Sequence, residues 1–178
     1  AKDQTVLHIA CQYGMVQCVL VLLAIDDIEV NTPSNTGITP FVIASVKGRD
    51  DVVELMLSDN RVDPTHVGLR GRGALHGAAL HGHTSTMKLL LQDARLQKHI
   101  NVRDEDGRTP LLDAVHKNHA QIVSLLLDTG YSLTNDNHSY NITLNEAYTL
   151  ATNESHDDIG IILKNYINSC TASIRAST

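Results

Sequence analysis

Apolar residues along this chain fall into pairs of short stripes at helical spacing, and the pair recurs. Between Asp104 and Gly130 the sequence DEDGRTPLLDAVHKNHAQIVSLLLDTG shows one full unit. Gly107 permits a tight turn. Thr109 can accept a backbone N–H at a helix start, and Pro110 suits the first helical position, where no N–H is missed. Leu111, Ala114 and Val115 make a short stripe. Asn118 breaks it, in a residue that tolerates the left-handed conformation. Ile122, Val123, Leu125, Leu126 and Leu127 form a second stripe, which Gly130 is expected to close. Neither helix is long enough to persist alone in water, so the unit needs a neighbour.

The chain supplies neighbours. Thr5, Thr39, Gly73 and Thr109 are spaced 34, 34 and 36 residues apart. Ala10, Ala44, Ala78 and Ala114 keep that spacing, and Ala147 follows after 33. Gly14, Gly48, Gly82 and Asn118 mark the same break. A fixed period of this size means a stacked array. The residues TVLHIA (5–10), GITPFVIA (37–44), ALHGAA (74–79), Gly82-His83 and GRTPLLDA (107–114) resemble the ankyrin repeat, over about residues 1–165. The resemblance implies an all-α ankyrin-repeat solenoid of stacked antiparallel helix pairs with β-turn or hairpin fingers, and it implies no reaction. The expected domain is 1–167, with repeats at about 1–30, 31–62, 63–100 and 101–133, a degenerate cap at 134–167 and a frayed tail at 168–178.

The units are not equal. In repeat 1, Val6 replaces the proline, and exposed apolar positions such as Val21 call for an upstream layer or a partner. Repeat 3 has a finger two residues longer than its neighbours. Gly73-Ala74 replaces Thr-Pro there, which removes a cap worth about 1 kcal/mol. A long connection, 92–99, follows Leu91. Repeat 3 is therefore the expected soft joint. In the fifth unit Leu144 and Ala147 are expected to keep register with Leu111 and Ala114. The stretch 153–156 adds about one helical turn, and the finger 135–141 is polar and lacks glycine.

Composition narrows the function. Forty-two per cent hydrophobic residues, with one Phe and no Trp, give a core of Leu, Ile, Val and Ala. A net charge of −6 disfavours general binding to nucleic acid or an anionic membrane. No apolar run approaches the roughly 20 residues needed to span a bilayer, and no secretory signal is visible. The chain lacks an initiator Met and begins inside a repeat's turn, as a fragment of something longer would. Three cysteines, an odd number, argue against a disulfide framework; Cys11 and Cys18 read as buried small hydrophobes, and the expected location is intracellular, cytoplasmic or nuclear.

Candidate chemistry is thin. His8 and His76 share one repeat position, and His83 and His119 another, so both sets are expected to bond backbone between loops. His81 with His116 and Lys117 forms the expected exposed cluster. No HExxH or paired CxxC accompanies the histidines, and no metal or cofactor is assigned. The segment 68–73, GLRGRG, lacks the Lys-Ser/Thr ending of a phosphate loop and reads as a basic finger. Cys11 lies one turn from His8 but in a position too buried for a nucleophile. No catalytic residue is assigned. Asn137, Asn141 and Asn153 begin glycosylation-type triplets, which carry no weight inside a cell.

In the family, partners lie along the concave face of finger tips and first-helix ends. The resemblance places Tyr13, Ile38, Val46, Lys47, Leu69, Arg70, Arg72, Leu80, His81, Arg108, His116 and Lys117 there. Five bases stand against two acids, around an apolar centre. The expected partner is a protein or peptide with acidic residues flanking a hydrophobic anchor. Nucleic acid and membrane insertion are not expected, and the chain should be monomeric by itself. The function read is a non-catalytic interaction module of a signalling or scaffold type. The alternative is the targeting part of a larger enzyme or bacterial effector whose catalytic domain lies outside these residues.

Overall fold

The computed structural model describes residues 4–133 and 137–176, with side chains for 4–129, 143–170 and 172. The helices are α1 (Val6–Tyr13), α2 (Val16–Leu23), α3 (Pro40–Val46), α4 (Asp50–Leu57), α5 (Ala74–His81), α6 (Thr84–Gln92), α7 (Ala94–Gln97), α8 (Pro110–His116), α9 (Ala120–Leu133), α10 (Asn137–Asn153) and α11 (Asp157–Ala176). Among the described residues there is no strand. The first helices α1, α3, α5, α8 and α10 pack in one row and α2, α4, α6, α9 and α11 in another. The core is the space between the rows, filled by Leu7, Phe41, Met56, Met87, Leu90, Ile122, Leu127 and Leu163.

The starts and breaks follow from local chemistry. Thr5, Thr39 and Thr109 each accept the N–H three residues on, and Pro40 and Pro110 follow the last two. Gly73 gives α5 no side-chain cap, yet the helix forms, because residues 74–79 are all buried and packing outweighs the lost cap. Gly14, Gly48, Gly82, Asn118 and Ser155 all take positive φ between the two helices of a pair. At Gly48 the need is double: a Cβ there would lie 2.5 Å from His83 Nδ1.

Layers are joined through backbone. His8 Nδ1 accepts the Thr5 N–H and Nε2 donates to Ile38 O at 2.8 Å, which fixes the tautomer. His76 Nε2 donates to Arg108 O (3.0 Å), His83 Nε2 to Val46 O (3.0 Å) and His156 Nδ1 to Val115 O (2.9 Å). Repeats 2 and 4 carry Val42 and Leu112 where repeats 1 and 3 carry His8 and His76, and between repeats 2 and 3 His66 reaches back to Gly37 O instead. Finger tips are tied by Leu69 N–H to Thr36 O and Glu105 N–H to Arg70 O. A second device also joins the layers. Arg61 pairs with Asp59 and donates to Leu23, Ile25 and Asp26 carbonyls, and Arg95 pairs with Asp93 and donates to Leu57 and Val62 carbonyls. Each arginine thus clamps the carbonyl end of the preceding layer's second helix.

Several expectations are corrected. The three fingers close the same turn at the tip, with Ser34, Gly68 and Asp104 bonded to Ile38, Arg72 and Arg108 respectively; the two extra residues of repeat 3 lie before the tip, around His66. The long connection after Leu91 is folded, as α7 with Leu96 buried. Helix α9 runs through Gly130 to Leu133, and 137–141 belong to α10 rather than to a finger; residues 134–136 lie outside the described residues. Helix α11 continues to Ala176, so 168–176 is helical rather than frayed, with Cys170 buried. The fifth unit's register also shifts. The N–H after each break donates to Ala10, Ala44, Ala78, Ala114 and then Ala151, not Ala147. A four-residue slip leaves the same helix face inward, so both alanines are buried and the apolar pattern could not separate them.

Candidate partner-binding groove

The first helices are only 7–8 residues long in repeats 1–4, so their C-terminal ends and the finger bases form the walls of a trough. Between repeats 2 and 3 the trough deepens to a cavity of about 480 Å³. Ile38, Val46, Lys47, Leu69, Arg72, Leu80 and His81 all line it, joined by Ile43, His76 and Gly77. Ile9, Ile43 and Asp113 hold the repeat position of Gly77, and the missing side chain at 77 lets α3 pack closely on α5: Val46 Cγ2 stands 2.5 Å from where a Cβ would be.

The remaining predicted residues do not line this cavity. Tyr13 is exposed beside a separate hollow with Arg49 and Asp50. His81 stacks on His83 with ring centroids 6.0 Å apart, whereas His116 Nδ1 contacts Glu154 Oε1 at 2.7 Å. Of the residues expected to cluster with Lys117, His81 and His116 each have a partner of their own.

The expected excess of base also shrinks. Arg72 Nε donates to Asp104 Oδ2 at 2.7 Å, Arg70 stands 3.5 Å from Asp106, and Arg108 3.9 Å from Asp113. Among the described residues Lys47 and Lys117 are the groove cations with no ion pair. Burial pushes the Asp104 carboxyl upward, but the Arg108 N–H and the Arg72 guanidinium outweigh it, so it sits below the usual carboxylate range. The Asp104 hydrogen bond in turn raises Arg72. Arg72 is a structural cation first and a groove base second.

Asp113 is the unusual group. Its side chain is fully buried, and neither oxygen has a hydrogen-bond partner among the described residues. Burial pushes its carboxyl up, against the opposing charges of Arg72 and His76. His76, Asp104 and Asp113 offer ligand atoms within 4.8 Å of one another, but the donor set does not suit a metal ion. Asp104 is filled by Arg72 and two backbone N–H groups, His76 Nε2 is spent on Arg108 O, and the Arg108 guanidinium faces Asp113. Two cations already balance the two carboxylates. Asp113→Asn should therefore stabilise the fold by about 1 kcal/mol at pH 7. The sign is fixed by the direction of the shift. A carboxyl raised in the fold binds more protons folded than unfolded, so its penalty is complete above the folded pKa and fades as pH falls toward the unfolded value near 3.8. Urea midpoints should show an advantage for the variant that narrows from pH 7 to pH 4; a variant less stable at pH 7 would contradict this.

Cys11 is not a poised nucleophile. Burial pushes the Cys11 thiol up to about 12, and its sulfur rests 3.4 Å from Met56 Sδ. Cys18, expected to be buried, is exposed, because no layer covers its side of α2. No helix of the described residues is long and apolar enough to cross a membrane.

Comparison with known proteins agrees with the geometry. A family model for ankyrin repeats (3 copies) matches residues 1–67 and 60–138. A probable E3 ubiquitin-protein ligase of Oryza sativa subsp. japonica is 32% identical over 155 residues, covering 71% of this chain and 31% of the relative. An ankyrin repeat-containing protein of Schizosaccharomyces pombe is 35% identical over 94 residues, 51% of this chain and 40% of the relative. Inversin of Danio rerio is 38% identical over 71 residues, 39% of this chain and 7% of the relative. The chain thus spans well under half the length of these relatives. Repeat period, capped helix pairs, finger ladder and family match together place the chain in the ankyrin-repeat family.

Proposed function

We propose that the chain is a non-catalytic protein-interaction module that holds an extended partner segment in the concave trough, with a bulky apolar side chain of the partner seated in the cavity between repeats 2 and 3. The cavity between repeats 2 and 3 is the observation that carries this reading. Its wall is Ile38, Ile43, Val46, Leu69 and Leu80, and a buried anchor in such a site supplies most of the binding energy. Lys47 at the rim favours a carboxylate beside the anchor, a narrower electrostatic demand than five free bases would make. The free thiols Cys11, Cys18 and Cys170 favour a reducing, intracellular setting.

Peptides selected from a displayed random library on the immobilised chain test it. Leu80→Glu puts a charge into the apolar wall and should weaken the selected peptides at least about tenfold. Lys88→Glu, exposed on α6, should leave them unchanged. Equal affinity for the Leu80 variant and the parent would remove the cavity as the site. Arg72→Glu is a poor probe, since it also breaks the Asp104 bond.

A second reading rests on the relatives. Three are named as probable or putative E3 ubiquitin-protein ligases and another as a serine/threonine-protein kinase. In such a protein the same trough would recruit a substrate or regulator for a catalytic domain outside residues 1–178.

A further inference from the structure

The two ends of the stack differ in kind. At the C-terminal end the exposed side chains are polar or charged (Asn145, Glu146, Thr149, Asp158, Lys164 and Asn165), and Ile161 is the one large hydrophobic exposed among the described residues of α10 and α11. That is how a terminal repeat meets water. At the other end, residues 4–25 carry no Asp, Glu, Lys or Arg at all, in a chain where 19% of residues are charged. Seven of the ten exposed large hydrophobics among the described residues lie there, with Val6 and Val21 each 67% exposed.

Repeat register says what such a face is for. Cys18 is exposed, but its equivalents Val52, Thr86, Ile122 and Ile159 are 1%, 0%, 0% and 0% exposed. Val6 corresponds to Pro40, Ala74, Pro110 and Ala147, all buried. Ile9, 44% exposed, corresponds to Ile43 at 8% and Asp113 at 0%. In the later layers these positions are buried, apart from half-buried Leu150 at the Ile9 position. The exposed face of α1 and α2 is therefore the inter-repeat interface, continued one layer further and left open.

We propose that this face seats a further ankyrin-type helix pair, stacked head to tail on α1 and α2 as these stack on α3 and α4, joined ahead of Thr5 in the same polypeptide and presenting an uncharged apolar side. A second copy docking head to tail does not fit, because the chain's own opposite end is polar.

The experiment fuses an idealised helix pair, charged on its outer side, ahead of Thr5 at the 34-residue register. Cys18 serves as the probe, and buried Cys11 and Cys170 report that the protein is folded. The fusion should label with maleimide at Cys18 at least about tenfold more slowly than the parent chain and unfold at higher urea, while remaining monomeric. Val6→Glu with Val21→Glu in the fusion should restore the fast labelling with Cys11 still protected. Unchanged Cys18 labelling in a folded fusion would overturn the proposal. So would a parent chain that sediments as a dimer with Cys18 already protected, which would assign the face to a second copy instead.

Discussion

Leu90→Ala should destabilise the protein by about 3–5 kcal/mol, the upper part of the range for such truncations. Leu90 is 0% exposed on α6, which packs against α4 on one side and α9 on the other. A layer held from both sides has little freedom to collapse into the space a leucine leaves, so the cavity term stays nearly whole. Helix pairs of this length do not persist without their neighbours, so a weakened middle layer loosens two interfaces at once. For a chain of this size the melting temperature should fall by about 10 °C. Leu20→Ala, at a position 42% exposed, should change stability by less than about 0.5 kcal/mol. Similar midpoints for the two variants would mean that the layers are not arranged as described.

Gly48→Val should cost about 3 kcal/mol and should also weaken binding in the cavity. Gly48 has φ 62°, and a β-branched residue is strained there. The added Cβ would meet the His83 ring, which must leave its bond to Val46 O. That bond holds the end of α3, and Val46 lines the cavity. Stability and binding therefore fail through one contact. Gly48→Asn relieves most of the backbone strain but keeps the clash, so it should recover part of the stability and little of the binding. The contrast with Leu90→Ala is informative, since the latter should spare affinity at temperatures where the variant is folded. A Gly48→Val protein with parental affinity would show that His83 does not set the position of Val46.

How much of this was legible in the sequence depends on the range of the signal. The threonine caps, the prolines at the first helical position and the left-handed breaks act within four residues, so they placed α1 to α6 and α8 from the letters alone. His8 and His76, recurring at one repeat position, announced their structural role for the same reason. The end of the array was misread where the signal is degenerate. Ala147 and Ala151 lie one turn apart on one face, and only the capping bond from His156 N–H separates them. Gly130 could close a helix in principle, but α9 passes through it. In the trough, seven of the twelve expected residues meet at one cavity, because they were chosen by repeat position and repeat position fixes geometry. What failed was the charge count. Arg72 and Asp104 are 32 residues apart and meet only through the stacking of fingers, so a face scored residue by residue looked more basic than it is. The Asp59–Arg61 and Asp93–Arg95 clamps stand in the sequence as a repeated D-x-R at 34-residue spacing, a charge period that runs beside the apolar one.

The most direct measurement is a ¹⁵N-resolved NMR titration of the chain with a library-selected peptide. Amide shifts should concentrate at Ile38, Val46, Lys47, Leu69 and Leu80, diminish along the trough toward repeat 4, and vanish in Leu80→Glu. Shifts centred instead on α6 and α9, or on the open face of α1 and α2, would contradict a binding trough built by the first helices and fingers.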